Sequence, residues 1–203
     1  MSLSKSTARR TRLALEAILT VLAAVAWSSH QLSYGQSKAD TRIYRGIYSN
    51  PIFGYSISLP SGLVGEGDPD PAPNHGIVVK LSSDGVDYLW TSGLYNASYY
   101  NKPEQLAEDQ LDELEGEGLT DVKVVSLEHA ALCDLQALRQ TISYRTKAGT
   151  LMTQVIVSAV DLSDHGPGIL YSVGLRSSSD TLPRNIKTFD QVVGSFRCFP
   201  PKG

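Results

Sequence analysis

The chain is short of cysteine, of basic charge and of long hydrophobic runs. Two cysteines in 203 residues are too few for a disulfide-dense miniprotein or a four-cysteine zinc site. Eighteen Lys and Arg against 21 Asp and Glu give a formal net charge of −3. That balance argues against nucleic acid as the main partner, because neutralising phosphates takes clustered basic residues. The apolar run at residues 13–27 falls short of the ~20 residues that cross a bilayer, and Glu16 and Thr20 interrupt it. No Cys-x-x-Cys, His-x-x-x-His or Gly-x-Ser-x-Gly pattern occurs. Disorder is also excluded, since 41% of the residues are hydrophobic and only 19% are charged.

What is present begins with an address. Lys5, Arg9, Arg10 and Arg12 precede the apolar run, and Ser28, Ser29 and His30 end it. This is the pattern of a secretory signal peptide over residues 1–35. Small residues suit cleavage after Ser28 or, preferably, after Gly35. An uncleaved N-terminal anchor is the rival reading. No cysteine follows the run, which speaks against a lipid anchor. Residues 1–35 carry four of the 18 basic and one of the 21 acidic residues. The rest therefore holds 14 basic and 20 acidic residues, a net −6, so the exported part is distinctly acidic.

Residues 36–41 read as a linker, 42–199 as one α+β domain and 200–203 as a tail. Strands are expected at 43–48 and at 53–59, where Phe53, Tyr55, Ile57 and Leu59 share a face. A Gly-, Pro- and Asp-rich loop is expected over 62–74 and a strand at 77–81. Asp84-Gly85 then turns into a strand at 86–91. A helix starts at Lys102-Pro103-Glu104, with Leu106, Gln110, Leu111 and Leu114 inward, and stops at Gly116 and Gly118. Further strands are expected at 122–127, 135–144, 150–160 and 169–175. A closing helix follows at 183–196, with Ile186, Phe189, Val192 and Val193 on one face. Short turns between strands imply an antiparallel sheet, and two helices on it make an αβα sandwich.

The stretch Gly54-Tyr55-Ser56-Ile57-Ser58-Leu59-Pro60-Ser61-Gly62 resembles the opening strand of the PsbP-like superfamily, which includes the Mog-type Ran-binding proteins. The stretch Phe189-Asp190-Gln191-Val192-Val193-Gly194-Ser195-Phe196 is similar to the closing helix of the same group. The resemblance covers about residues 41–199 and implies an α+β sandwich without catalytic residues. No manganese, calcium or chloride ligand position matches, so no photosynthetic role is implied.

Several groups are candidates for chemistry or binding. Cys133 and Cys198, an even pair in an exported chain, point to a disulfide, with two separate thiols as the alternative. His75, His165 and Asp164 lie in or beside Gly-rich segments, and with Asp84 they are the candidate catalytic or metal groups. Glu66, Asp68 and Asp70 alternate as calcium ligands do, though Pro69 and Pro71 stiffen that loop and EF-hand spacing is absent. Asn96-Ala97-Ser98 is a glycosylation sequon in a eukaryotic host. Glu104, Glu108, Asp112 and Glu115, with Asp109, Glu113 and Glu117, crowd one helix as a docking face for a basic partner or simply as a solvated face. Tyr88, Trp90, Tyr99 and Tyr100 line a recognition groove or pack at a rim.

The expected protein is thus secreted or periplasmic, without cofactor or metal, and a monomer. It is read as a non-catalytic binding or accessory module for another protein. It touches membrane only through its N-terminal segment, if that is uncleaved. The alternatives are a small secreted hydrolase or metal-dependent enzyme using His75, His165 and Asp164, and an inhibitor or immunity-type protein using the acidic helix.

Overall fold

The computed structural model describes residues 41–67, 75–162 and 168–201. The expected signal peptide lies outside them, as do Asp68, Asp70, Asp164 and His165. Contacts divide the chain after Ala39, and the unit Asp40–Gly203 holds every described residue.

Eleven strands and two helices make up this unit among the described residues. The main sheet holds β1 (Arg42–Tyr44), β4 (Gly65–Gly67), β5 (Gly76–Lys80), β6 (Tyr88–Tyr95), β7 (Thr120–Leu132), β8 (Leu135–Arg145), β9 (Leu151–Asp161) and β10 (Ile169–Ser178). Their order is β1-β4-β5-β6-β10-β9-β8-β7, and every neighbouring pair is antiparallel. A second sheet pairs β2 (Ile47–Asn50), β3 (Tyr55–Ser58) and β11 (Arg197–Cys198). The helices are α1 (Pro103–Gly116) and α2 (Leu182–Ser195).

Alternation along the strands splits the core into two layers. Val155, Val157, Tyr171, Val173 and Leu89 point to one face, where Phe189 and Val192 of α2 join Tyr48, Tyr55 and Ile57 of the small sheet. Ile142, Tyr144 and Met152 point to the other, under Leu114 of α1. β9 is buried on both faces, which is why it reads as a nearly unbroken apolar run.

Four expectations are corrected. The strand expected at 43–48 is two strands in different sheets, because Gly46 turns the chain with φ of +69° between them. The expected loop over 62–74 contains β4, whose Glu66 pairs with Lys80 at 3.0 Å. The turn at Asp84-Gly85 belongs to a longer connection in which Asp84 accepts hydrogen bonds from the Ser82 hydroxyl at 2.5 Å and the Val86 amide at 3.1 Å. The strand expected at 122–127 runs to Leu132, because β8 pairs with it up to the tight turn at Cys133-Asp134.

That turn carries the cysteine pair. Cys133, at φ of +55°, is disulfide-bonded to Cys198 with Cα atoms 5.8 Å apart. The bond ties the tip of the β7–β8 hairpin to β11 of the small sheet.

Candidate functional site

α1 lies over β7, β8 and β9, so among the described residues the same face of β6 and β10 carries no helix of its own. The register sets the side chains of this open strip in rows: Tyr88 opposite Arg176, Trp90 opposite Gly174, Ser92 opposite Ser172. Along β6 these residues are half-buried, while Leu89, Thr91 and Gly93 between them are fully buried on the other face.

Trp90 lies flat against Gly174. A Cβ there would sit 2.0 Å from an indole carbon, so any other residue would push the ring away. Tyr88 packs beside Trp90 with ring centroids 5.6 Å apart. The Arg176 guanidinium sits 6.0 Å from the centre of the Tyr88 ring and 5.5 Å from that of Tyr144. Burial pushes the Tyr144 phenol up to about 12, against the lowering pull of Arg176. Its hydroxyl is buried with no hydrogen-bond partner. Burial works against the Arg176 charge too, but Tyr144 and Tyr88 outweigh it and hold the guanidinium above its usual pKa.

α1 borders the strip. Gln140 Nε2 donates to the Ala107 carbonyl at 3.2 Å, and Gln110 Nε2 to Ser158 Oγ at 3.2 Å. With Ala107 and Leu114 inward, a turn of 100° per residue puts Glu117 and Glu113 on the flank toward β10 and β6, and Asp109 at its solvent-facing edge, about 150° from the inward direction; all three are exposed. Two contacts agree: the Tyr100 hydroxyl donates to Asp109, and Glu117 bears electrostatically on Tyr144 and Arg176. The expected docking residues Glu108, Asp112 and Glu115 are exposed on the opposite flank, with Glu104 half-buried. The acidic helix therefore has two rows, and only one stands beside the aromatic strip.

That row carries uncompensated charge. Burial, then Asp112, raises the Asp109 carboxyl above its usual range. Burial, then Asp109 and Glu117, does the same to Glu113. A carboxyl whose pKa is higher in the folded chain costs stability where it is ionised, and the cost fades as pH falls through its folded pKa. Glu113→Gln is therefore expected to raise stability at pH 7 by a few tenths of a kcal/mol, the size of a like-charge i,i+4 contact. Urea unfolding at pH 7 and pH 4 checks this, and the gain should vanish at pH 4.

The remaining candidates are dispersed. His75 Nδ1 lies 3.2 Å from the Gly93 carbonyl, and its ring stacks on Phe53 at 5.3 Å. Asp84 follows β5, which His75 precedes, so the strand's length of roughly 16 Å separates them. Asn96 is fully buried, donating to the Tyr100 carbonyl at 2.7 Å and accepting from the Tyr100 amide at 2.8 Å. Its sequon is a structural clamp that holds Tyr99 and Tyr100 ahead of α1, with Tyr99 77% exposed. No cluster of three or more metal-ligating side chains occurs among the described residues.

Sequence reasoning missed a buried, well-connected polar group, Asp87. It is 2% exposed. Its carboxylate accepts from the Ser178 amide at 2.8 Å, the Thr181 hydroxyl at 2.5 Å and Asn185 Nδ2 at 3.1 Å. These bonds fasten the end of β10 and the start of α2 to the β5–β6 connection. Arg176 was missed as well. Period-two counting back from Gly174 and Trp90 would have found it only with the register known.

No protein-family model matches the chain, and no curated protein does. Solved structures do match. The crystal structure of LpqN, involved in cell envelope biogenesis of Mycobacterium tuberculosis, aligns at a TM-score of 0.55 and 16% identity, over 79% of this chain and 94% of LpqN. The solution structure of cyanobacterial PsbP from Synechocystis sp. PCC 6803 aligns at 0.50 and 14% identity, over 84% and 99%. The chain has the PsbP-like fold. No described helix is long and apolar enough to cross a membrane.

Proposed function

We propose that this chain is an exported, non-catalytic binding or accessory module that meets a macromolecular partner through the open strip beside α1. The observation that carries the reading is the unequal cover of the main sheet. One face packs against α2 and a second sheet. Among the described residues the other is covered by α1 chiefly over β7 to β9, leaving Tyr88, Trp90 and Arg176 half-buried. Aromatic rings beside charged groups on a partly open surface are typical of interface anchors.

Three features support export. The chain starts with a basic stretch and a short apolar run. Its two cysteines are disulfide-bonded, which suits an oxidising compartment. LpqN, of similar fold, is involved in cell envelope biogenesis. The hydrolase reading gains nothing from the described residues, since His75 is engaged with Gly93 and Phe53 and stands a strand's length from Asp84.

Immobilised full-length chain tests the reading against a host envelope extract. A partner should be retained by the native protein and by Asp190→Asn, which alters the α2 face, and lost with Trp90→Ala. Equal retention by all three would overturn the assignment of the strip.

A further inference from the structure

We propose that the strip takes an extended basic peptide segment, its Lys or Arg side chains against Asp109, Glu113 and Glu117 and an apolar side chain on the Trp90 indole. This rests on the binding reading above and names the chemistry of the partner.

Spacing is the first support. Four helical residues advance about 6 Å along α1. Alternate residues of an extended strand advance about 6.6 Å. Basic residues at every second position of an extended segment therefore keep step with carboxylates at 109, 113 and 117.

Charge is the second. α1 contains no basic residue between Pro103 and Glu117. The ion pairs within 4.0 Å among the described residues are Lys80–Glu66, Arg139–Asp190 and Arg145–Asp121. None uses an α1 carboxylate, so the row stands without a cation except where Glu117 bears on Arg176. Arg176 is itself held between two tyrosine rings, which leaves Glu113 open, and Asp109 with a bond from the Tyr100 hydroxyl but no cation.

The third support is independent of the acids. Tyr144 is 0% exposed, and its hydroxyl has no partner. It lies within electrostatic reach of Arg176, Tyr88 and Glu117, at the end of the carboxylate row. A buried hydroxyl without a partner is unfavourable. On the open side of the strip the Trp90 indole, half-buried and held against Gly174, is offered to the segment's apolar side chain. The same carboxylates repel nucleic acid and anionic lipid. A saccharide would suit the indole but leave the acidic row unanswered.

Full-length chain carrying Trp27→Phe leaves Trp90 as the sole indole, so its emission reports on the strip. The probes are acetyl-Lys-Val-Lys-Val-Lys-amide, the corresponding Glu peptide and chitotriose. The basic peptide should change Trp90 emission saturably, and binding should weaken at least ~10-fold between 20 and 200 mM salt. Asp109→Asn with Glu113→Gln should weaken it about 10-fold, and Asp190→Asn should leave it unchanged. Equal binding of the Glu peptide, or binding indifferent to salt and to the double substitution, would overturn the proposal. Saturable binding of chitotriose alone would also overturn it while leaving the strip a binding surface. Silence of Trp90 toward all three probes, with partner retention unaffected by Trp90→Ala, would remove both readings.

Discussion

Reducing the Cys133–Cys198 bond is expected to lower the thermal midpoint by roughly 12 °C, since each kcal/mol shifts a domain of this size by about 2–4 °C. The bond closes 65 residues of sequence, and the chain-entropy account gives about 4 kcal/mol for a loop of that length. The segment enclosed contains β8, β9, β10 and α2, so its ends come together only after most of the sheet has paired. The reduced chain must close that loop with noncovalent contacts alone. Calorimetry with and without reductant checks this. Cys133→Ala with Cys198→Ala should match the reduced native protein and should not respond to reductant. A shift below ~3 °C would mean that the denatured chain is already constrained, or that the left-handed backbone at Cys133 consumes most of the gain.

The second large effect is expected at Asp87. Asp87→Ala should cost about 3 kcal/mol, or roughly 10 °C. Three donors converge on this carboxylate from Ser178, Thr181 and Asn185; the substitution strands the Ser178 amide and takes an acceptor from Thr181 and Asn185, which keep their bonds to the Ser178 carbonyl and Ser177. Hydrogen bonds to a charged acceptor contribute more than neutral ones, and stranded buried donors carry the desolvation cost in full. Asp87→Asn keeps the shape but turns an amide NH2 toward donors, so an intermediate loss is expected. Asn185→Ala removes one donor, which also bonds Ser177 Oγ at 2.9 Å, and should cost less than Asp87→Ala. Urea unfolding of the three variants measures the order. A loss under 1 kcal/mol for Asp87→Ala would show that water replaces the carboxylate without strain.

The fold was largely legible where a single face carries the signal. Tyr55 and Ile57 alternate with serines and form β3, shorter than the expected 53–59 because Gly54, at φ of +66°, closes a turn just before it. The closing helix starts one residue earlier than its Pro-led pattern suggests, and Phe189 and Val192 are its buried core residues. The cysteine pair was readable from compartment and count, and it is bonded. The misreadings have a common physical source. A sequence shows which face of a segment is apolar but not which sheet the segment joins. Residues 43–48 therefore looked like one strand, though they divide between two sheets at Gly46. β4, with the sequence Gly-Glu-Gly, has no propensity signal at all and exists because β1 and β5 flank it.

The candidate site was legible in parts and not as a whole. Tyr88 and Trp90 flank Leu89 and so share a face, and their half-burial agrees. The acidic helix was visible as a run, but which carboxylates face the sheet depends on Ala107, a weak apolar signal that turns out to be 4% exposed. Leu106, expected inward, is only half-buried. Arg176 and Tyr144 come to this strip through strand order, with β10 inserted between β6 and β9. No local pattern encodes that order. The sequon at Asn96 carries no such signal in its pattern: the residue is buried because both of its amide atoms close the loop ahead of α1.

The central claim is that the strip between α1 and β6, rather than the α2 side, meets a partner. Site-specific photocrosslinking in the native host tests it most directly. A benzophenone side chain at Tyr99, 77% exposed beside the strip, is compared with one at Ile47, 74% exposed on the small sheet. Irradiation should give one discrete adduct from position 99, lost when Trp90→Ala is added, and none from position 47. Adducts of equal yield from both positions, or from position 47 alone, would contradict the account.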